Sequence, residues 1–276
     1  MNTQCTLPRR AWMGSVFGAG LAAAMGWPHA TQAQASSPIS GLNDAINQAG
    51  RQRMLSQRMA KAWMAIGQGI DARRAEKILA ESVVLFERQL AALKAYAPQP
   101  DVRATYAELE AAWLAYKGLL HGGAPRREQA PALLAADARV LKLAQQGTAQ
   151  LEALSGQALG RLVNLAGRER MLSQRSAKFY LSLSWGASGH DQTRELELAR
   201  REFAQALSVL KAAPETTPSI REALELASQQ WVFFDNALNR LGQTAHSAQH
   251  ASEVFHSSEN ILLIMDRVTG LYARQA

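Results

Sequence analysis

The sequence has very little cysteine, since Cys5 is the only one in 276 residues. A single thiol cannot form a disulfide within the chain, and it cannot complete the CxxC or CxxCH spacing of a metal, redox or haem-attachment site. Cysteine chemistry is therefore excluded as the basis of function.

Prolines and aromatic residues are also scarce. The chain has nine prolines and 7% aromatic residues, while 47% of its residues are hydrophobic and 19% are charged. The excess of Ala, Leu, Gln, Arg and Glu favours helices, so we expect an all-α globular protein. The sequence shows no Ser-His-Asp order, no glycine-rich phosphate loop and no paired catalytic carboxylates. We therefore expect neither an enzyme nor a bound cofactor.

A long hydrophobic run occurs only near the N-terminus. Arg9 and Arg10 precede an apolar, Gly- and Ala-rich run over residues 11–27, and a polar stretch then ends at Ala35. This is the layout of an export signal, and the paired arginines resemble a twin-arginine signal. The general secretory route and an uncleaved anchor are the alternatives. We expect cleavage near Ala35 and a mature protein that is soluble in the periplasm.

The charge of the mature chain argues against a nucleic-acid partner. Removing Arg9 and Arg10 from the 30 basic residues leaves 28 against 23 acidic ones, a net charge of +5. Because these residues are interleaved along the chain, no strongly basic surface is expected.

The rest of the chain repeats itself with a period of 117 residues. Residues 46–61 and 163–178 are identical at 12 of 16 positions. With a one-residue insertion later in the copy, the offset also relates several apolar positions: Phe86 to Phe203, Leu90 to Leu207, and Trp113 to Trp231. A duplication therefore spans nearly all of the chain after the signal.

Apolar residues within each copy recur in steps of three and four, which predicts helices with one buried face. Proline-containing breaks separate them. The predicted helices lie near 40–69, 72–96, 101–121 and 130–154 in the first copy, and near 158–186, 191–212, 219–241 and 245–274 in the second.

Four antiparallel helices with short connections form an up-and-down bundle, so we expect two such bundles in tandem, forming an internal pseudo-dimer. The expected domains are 36–156 and 157–276, after the signal at 1–35. At the joint, Gly156 either takes the left-handed conformation and begins a hairpin, or lies within one continuous helix. We favour the hairpin.

The first helix of each copy has an unusual polar face. A core-facing stripe normally holds leucines, but here one face of the helix holds a glycine, an arginine and amides. The residues on this face are Asn47, Gly50, Arg53, Met54, Gln57 and Lys61 in the first copy, and Asn164, Gly167, Arg170, Met171, Gln174 and Lys178 in the second.

The glycine and the arginine one turn later carry the functional argument. A glycine inside a helix costs up to about 1 kcal/mol relative to alanine, so its presence in both copies indicates a close approach at that point. A guanidinium offers a planar fork of donors that suits a planar oxyanion. A small anion between two such forks would relieve their mutual repulsion.

The AGRxRMLSQR core resembles the P-box helix of the PilJ-type domain, the periplasmic sensor domain of nitrate- and nitrite-sensing histidine kinases and of type IV pilus chemotaxis transducers. The resemblance covers both copies, about 240 residues. It implies four-helix bundles, with nitrate held between two first helices by Arg53 with Gly50 and by Arg170 with Gly167.

The same resemblance implies a sensor of nitrate or nitrite that signals through a membrane receptor, kinase or transporter in the periplasm. The chain would act as a monomer with an internal pseudo-two-fold axis, or as a homodimer. Asn47 and Asn164 are interpreted as support for the arginines or as partners between helices. Met54 and Met171 are interpreted as core filling, and Gln57 and Gln174 as further support for the site.

Three alternatives to an anion site stay open. Arg53 and Arg170 could instead form ion pairs within the bundle, or the paired first helices could serve only dimerisation or docking, without a ligand. The arginines on other faces, Arg51, Arg58, Arg168 and Arg175, are expected to be ion-paired or solvated. Finally, a face of the last helix could bind a metal through His246, His250, Glu253 and His256, although the first copy has no matching set.

Overall fold

The structure, a computed structural model, describes residues 39–187, 191–243 and 247–275, and within these ranges it contains eight α-helices and no strand. The all-α prediction is confirmed. The predicted export signal and His246 lie outside the described residues. The helices are α1 (Leu42–Gly67), α2 (Ala72–Tyr96), α3 (Pro100–Leu120), α4 (Ala130–Ser155), α5 (Ala158–Ser184), α6 (Gln192–Ala212), α7 (Pro218–Leu238) and α8 (Ser247–Ala273).

Proline and a side-chain cap mark where two of these helices begin. Pro100 and Pro218 open α3 and α7, where a missing N–H costs nothing because the first helical N–H groups have no partner within the helix. The Thr217 hydroxyl accepts a hydrogen bond from the backbone N–H of Ile220 at 3.4 Å. The predicted bounds of the eight helices differ from the observed ones by no more than three residues. The short 3₁₀ helix Arg127–Gln129 was not predicted.

Each copy forms a four-helix bundle. In the first copy, α1 packs against α2 and α4, and α3 packs against α4; in the second, α5 packs against α6 and α8, and α7 packs against α8. An aromatic pair recurs in both bundles, since Phe86 stacks on Trp113 at 4.3 Å between ring centroids and Phe203 stacks on Trp231 at 4.0 Å. Within the described residues, no helix is both long and apolar enough to cross a bilayer.

The two first helices form the centre of the molecule. Helix α4 ends at Ser155, Gly156 takes the left-handed conformation with φ 62°, and α5 begins at Ala158. This turn confirms the expected hairpin and sends α5 back parallel to α1. The α1 and α5 helices then pack side by side along their length. Because this contact joins the bundles, the described residues form one compact unit.

Candidate functional site

Helices α1 and α5 approach most closely at the duplicated glycine. A Cβ atom placed on Gly50 would lie 3.8 Å from Cα of Gly167, and one placed on Gly167 would lie 3.9 Å from Cα of Gly50. A Cβ atom at either position would therefore be in van der Waals contact with the backbone of the opposite helix. The glycines, which are unfavourable inside a helix, permit this close approach.

Arg53 and Arg170 converge on this point from the two repeats. The same Cβ on Gly50 would lie 3.1 Å from Nη2 of Arg53 and 3.4 Å from Nη2 of Arg170. Nη2 of Arg53 donates to the backbone carbonyl of Asn164 at 3.2 Å, and Nη2 of Arg170 donates to that of Asn47 at 3.0 Å. Each guanidinium thus crosses to the other repeat, and both side chains are completely buried.

The remaining contacts of the two arginines differ. Nη1 of Arg53 donates to the amide oxygen of Gln145 on α4 at 2.6 Å. Nη1 of Arg170 instead pairs with the carboxylate of Asp266 on α8, which also pairs with Arg51. The ion pair that the sequence left open therefore forms at Arg170, whereas Arg53 is held by a neutral amide.

Burial shifts the ionisation of both arginines. Desolvation, with the positive charges of Arg170 and Arg168, lowers the pKa of Arg53 to about 9. Desolvation and Arg51 lower the pKa of Arg170 to about 10, although Asp266 acts in the opposite direction. Both groups therefore stay cationic at neutral pH. The Nε atoms of both arginines are buried without a hydrogen-bond partner.

The neighbouring predicted residues take separate roles. Asn47 and Asn164 face the arginines through their backbone carbonyls, while the side-chain amide of Asn164 donates to Glu152. Met54 and Met171 are 3% exposed and belong to the hydrophobic core, as expected for residues that fill space between helices.

Gln57 and Gln174 belong to a second buried polar layer, further along α1 and α5. Gln174 accepts a hydrogen bond from Nζ of Lys61 at 2.7 Å, and Gln57 accepts one from Nζ of Lys178 at 2.6 Å. Each glutamine therefore contacts the lysine of the other repeat and not the arginine pair. The sequence analysis interpreted these glutamines as direct support for the arginines. In the structure they instead belong to the neighbouring layer and contact the lysines.

Carboxylates complete this second layer. Lys61 pairs with Glu259 on α8, and Lys178 pairs with Asp137 on α4, both at 2.6 Å. Each lysine is thus neutralised by the fourth helix of the opposite repeat. These partners were missed in the sequence because Asp137 and Glu259 are 122 positions apart, which does not match the 117-residue offset.

One buried acid has no counterpart in the other repeat. Glu169 on α5 occupies the position of Gln52 on α1, whose amide donates to the backbone carbonyl of Phe86 at 3.2 Å. Glu169 is completely buried, and neither of its carboxyl oxygens has a partner. Desolvation raises its pKa well above the ordinary value; Arg168 opposes this shift, while Glu202 adds to it. Burial therefore favours the neutral form of this carboxyl group.

The four arginines on other faces of α1 and α5 are all ion-paired, as predicted. The pairs are Arg51 with Asp266, Arg58 with Glu259, Arg168 with Glu202, and Arg175 with Glu195.

The histidine face of α8 does not converge on one point. His256 lies between Asp71, at 3.3 Å, and Arg74, at 2.9 Å, while Glu253 pairs with Arg240. Nδ1 of His250 is buried without a partner. Among the described residues, no three His, Cys, Asp or Glu side chains are placed to hold a metal ion.

Comparison with known proteins identifies a family for both copies of the repeat. The family model of PilJ, described as the N-terminal region of the type IV pili methyl-accepting chemotaxis transducer, matches residues 35–146 and 153–255. The first segment contains α1 with Arg53, and the second contains α5 with Arg170. No curated protein and no solved structure matches the chain. Because the two matched segments cover most of the sequence, the chain belongs to the PilJ family, as a tandem pair of sensor domains.

Proposed function

We propose that this protein binds nitrate, and also nitrite, with one anion per chain held between Arg53 and Arg170. The observation that carries the proposal is the convergence of two completely buried guanidiniums, one from each repeat, on a single pair of glycines. Two like charges that are removed from water repel each other strongly. A negative ligand between them is the simplest means of stabilising this arrangement.

The chemistry of the two side chains favours a planar oxyanion. Each guanidinium is a flat fork of N–H donors, and charged hydrogen bonds to such a fork contribute about 1.5–3 kcal/mol each. A Cβ atom on Gly50 or Gly167 would lie 3.1–3.4 Å from the Nη2 atoms, so the absence of side chains at these two positions avoids a tight contact with the guanidiniums. Nitrate and nitrite are planar and can accept hydrogen bonds from both forks, which agrees with the anion that the family resemblance implies.

The output would be a movement of α1 relative to α5. These helices join the two bundles, and in this structure the guanidiniums hold them together through the carbonyls of Asn47 and Asn164. An anion that competes for the same N–H groups would change that contact. The predicted export signal and the sensory family support a periplasmic location, and we propose that the change is read by a membrane receptor, a kinase or a transporter.

Titration calorimetry tests the proposal. Wild-type protein should bind one nitrate per monomer, and nitrite too, with much weaker binding of chloride. Arg53→Ala or Arg170→Ala alone should weaken nitrate binding at least about tenfold, because each removes one or more charged hydrogen bonds. The double variant should lose little more, since neither arginine forms a site alone. Arg175→Ala is the matched control, since Arg175 lies on α5 but pairs with Glu195.

Light scattering on the same samples gives the oligomeric mass and hence the number of sites per chain. If nitrate binding is unchanged in both single variants, Arg53 and Arg170 do not bind the anion, and the proposal is wrong. A chain that binds none of these anions would instead fit a docking protein whose central helices serve only packing.

A further inference from the structure

Gln145 on α4 connects the buried arginine pair to the surface. Arg53 and Arg170 are completely buried, so an anion must pass other side chains to reach them. The amide oxygen of Gln145 accepts a hydrogen bond from Nη1 of Arg53 at 2.6 Å, while Gln145 itself is partly exposed. On this side, therefore, a single side chain reaches from Arg53 to solvent.

Gln145 lines a groove of about 310 Å³ between α4 and α5. Of the described residues that line this groove, none is acidic and three are basic, namely Lys142, Arg168 and Arg175. Met171, which directly follows Arg170 in the chain, lines it as well. The groove thus extends from a basic surface to one residue that contacts Arg53 and to another that adjoins Arg170.

The three cations of the groove do not contribute equally. Arg168 pairs with Glu202, and Arg175 pairs with Glu195. Both acids are on α6, and neither lines the groove, but they compensate much of the charge of the two arginines. Lys142 is exposed, and no acidic residue lies three or four positions from it on α4. Because a cation at the rim of a groove raises the local concentration of anions, Lys142 favours the approach of an anion here.

The fourth helix of the other repeat offers a less favourable approach. Asp266 on α8 has the place of Gln145, since it accepts a hydrogen bond from Nη1 of Arg170, and its side chain is 41% exposed. Asp266 also pairs with Arg51. An anion on this side would meet a carboxylate and would have to break two ion pairs. On the other side, the amide of Gln145 is neutral and gives up one hydrogen bond to Arg53.

We infer that nitrate enters and leaves through the groove between α4 and α5, where Lys142 attracts the anion and Gln145 opens and closes the way to Arg53. This inference rests on the proposed function and adds the route to its site. By rotating, an amide exchanges its oxygen for its NH₂ group, so Gln145 can release Arg53 and donate to the passing anion. An ionised carboxylate has only acceptors, so Asp266 cannot do the same.

A bulky side chain in the groove tests the route. Ala138 is exposed on α4 and lines the groove, so Ala138→Trp narrows it without replacing a residue that contacts either arginine. An obstruction on the route raises the barrier equally in both directions. Ala138→Trp should therefore lower the association and dissociation rate constants of nitrate together, at least about fivefold, while Kd stays within about threefold of wild type.

The rate constants follow from the line shapes of backbone amide NMR signals of Gly50 and Gly167 during a nitrate titration, and calorimetry gives Kd. The matched control is Ala135→Trp, which places the same side chain at another exposed alanine of α4 that does not line the groove. It should leave both rate constants unchanged.

A charge reversal at the groove tests the role of Lys142. Lys142→Glu should lower the association rate constant at least about threefold at low ionic strength, with a smaller change in the dissociation rate constant. This effect should decrease as ionic strength rises, because salt screens exposed charges. The matched control is Lys77→Glu, which makes the same change of charge on α2, away from the groove, and should leave the association rate constant close to that of wild type.

The outcomes separate the route from the site. If wild-type protein binds nitrate and folded Ala138→Trp exchanges it at wild-type rates, the route is wrong while the nitrate site stands. If Ala138→Trp does not fold, as judged by circular dichroism, Lys142→Glu decides, and an unchanged association rate constant overturns the route. If folded wild-type protein binds neither nitrate nor nitrite, both the route and the proposed function are overturned.

Discussion

Replacing Glu169 with glutamine should stabilise the protein, and the gain should increase with pH. The carboxyl group is buried without a partner, and an unsatisfied buried polar group costs about 1–3 kcal/mol. At the equivalent position of the first repeat, the amide of Gln52 donates to the carbonyl of Phe86. Since Phe203 is the counterpart of Phe86, an amide at position 169 is expected to make the same bond. We therefore expect Glu169→Gln to raise the free energy of unfolding by about 1 kcal/mol or more.

The pH dependence follows from the raised pKa. In the unfolded chain a glutamate carboxyl group loses its proton near pH 4.3, whereas burial raises the pKa of Glu169 well above its ordinary value in the folded protein. Above that pH the native state binds more protons than the unfolded state, so stability decreases as pH rises. The loss is at most about 1.4 kcal/mol per pH unit, and it continues until the pKa of the folded state is reached. Glu169→Gln should remove this contribution.

Urea unfolding followed by circular dichroism, at intervals from pH 5 to 8, measures the effect. The difference in unfolding free energy between Glu169→Gln and wild type should grow with pH. The reciprocal variant, Gln52→Glu, places a buried acid in the first repeat. It should lower the free energy of unfolding relative to wild type, and this loss should grow as the pH rises. An identical pH slope for wild type and Glu169→Gln would refute the reasoning, because it would mean that Glu169 is ionised in the folded protein.

Two further predictions concern the two polar layers between α1 and α5. Gly50→Ala or Gly167→Ala places a methyl group 3.1–3.4 Å from guanidinium nitrogens. Calorimetry should therefore show nitrate binding weakened at least about tenfold. A circular dichroism spectrum like that of wild type shows that the variant keeps its helical fold. Asp137→Asn leaves Lys178 buried without its counter-charge and should lower the urea-derived free energy of unfolding by about 3–5 kcal/mol, whereas Lys77→Ala, which breaks an exposed pair, should change it by less than about 0.5 kcal/mol.

The helices were predictable because their signals are local. Apolar spacing marks a buried face, and Pro100, Pro218 and Gly156 mark helix ends through their own backbone preferences. The pairing of repeats was predictable for a different reason. Two copies of one helix, each with a glycine before an arginine, have matching surfaces, so Gly50 with Gly167 and Arg53 with Arg170 could be expected to meet once the joint formed a hairpin.

The partners of these side chains could not be predicted in the same way. Gln145 and Asp266 lie on fourth helices, about 90–100 residues from the arginines that they contact, and the two fourth helices do not follow the 117-residue offset. The spacing of residues along one helix does not determine which side chains of another helix they contact. The role of Glu169 was equally hidden, because an acid on a helix is ordinarily solvated.

The sequence by itself therefore determined the all-α class, the duplication, the approximate helix bounds and the paired arginines, since each depends on residues that are near in the chain or repeated in it. Only the tertiary structure decided that α1 and α5 run parallel, that each arginine crosses to the opposite repeat, and that Asp266 pairs with Arg170 while the amide of Gln145 contacts Arg53. Those features depend on the turn at Gly156 and on how the helices are rotated in the packed bundles. Helix rotation is set by the fit of all side chains together and not by any one segment.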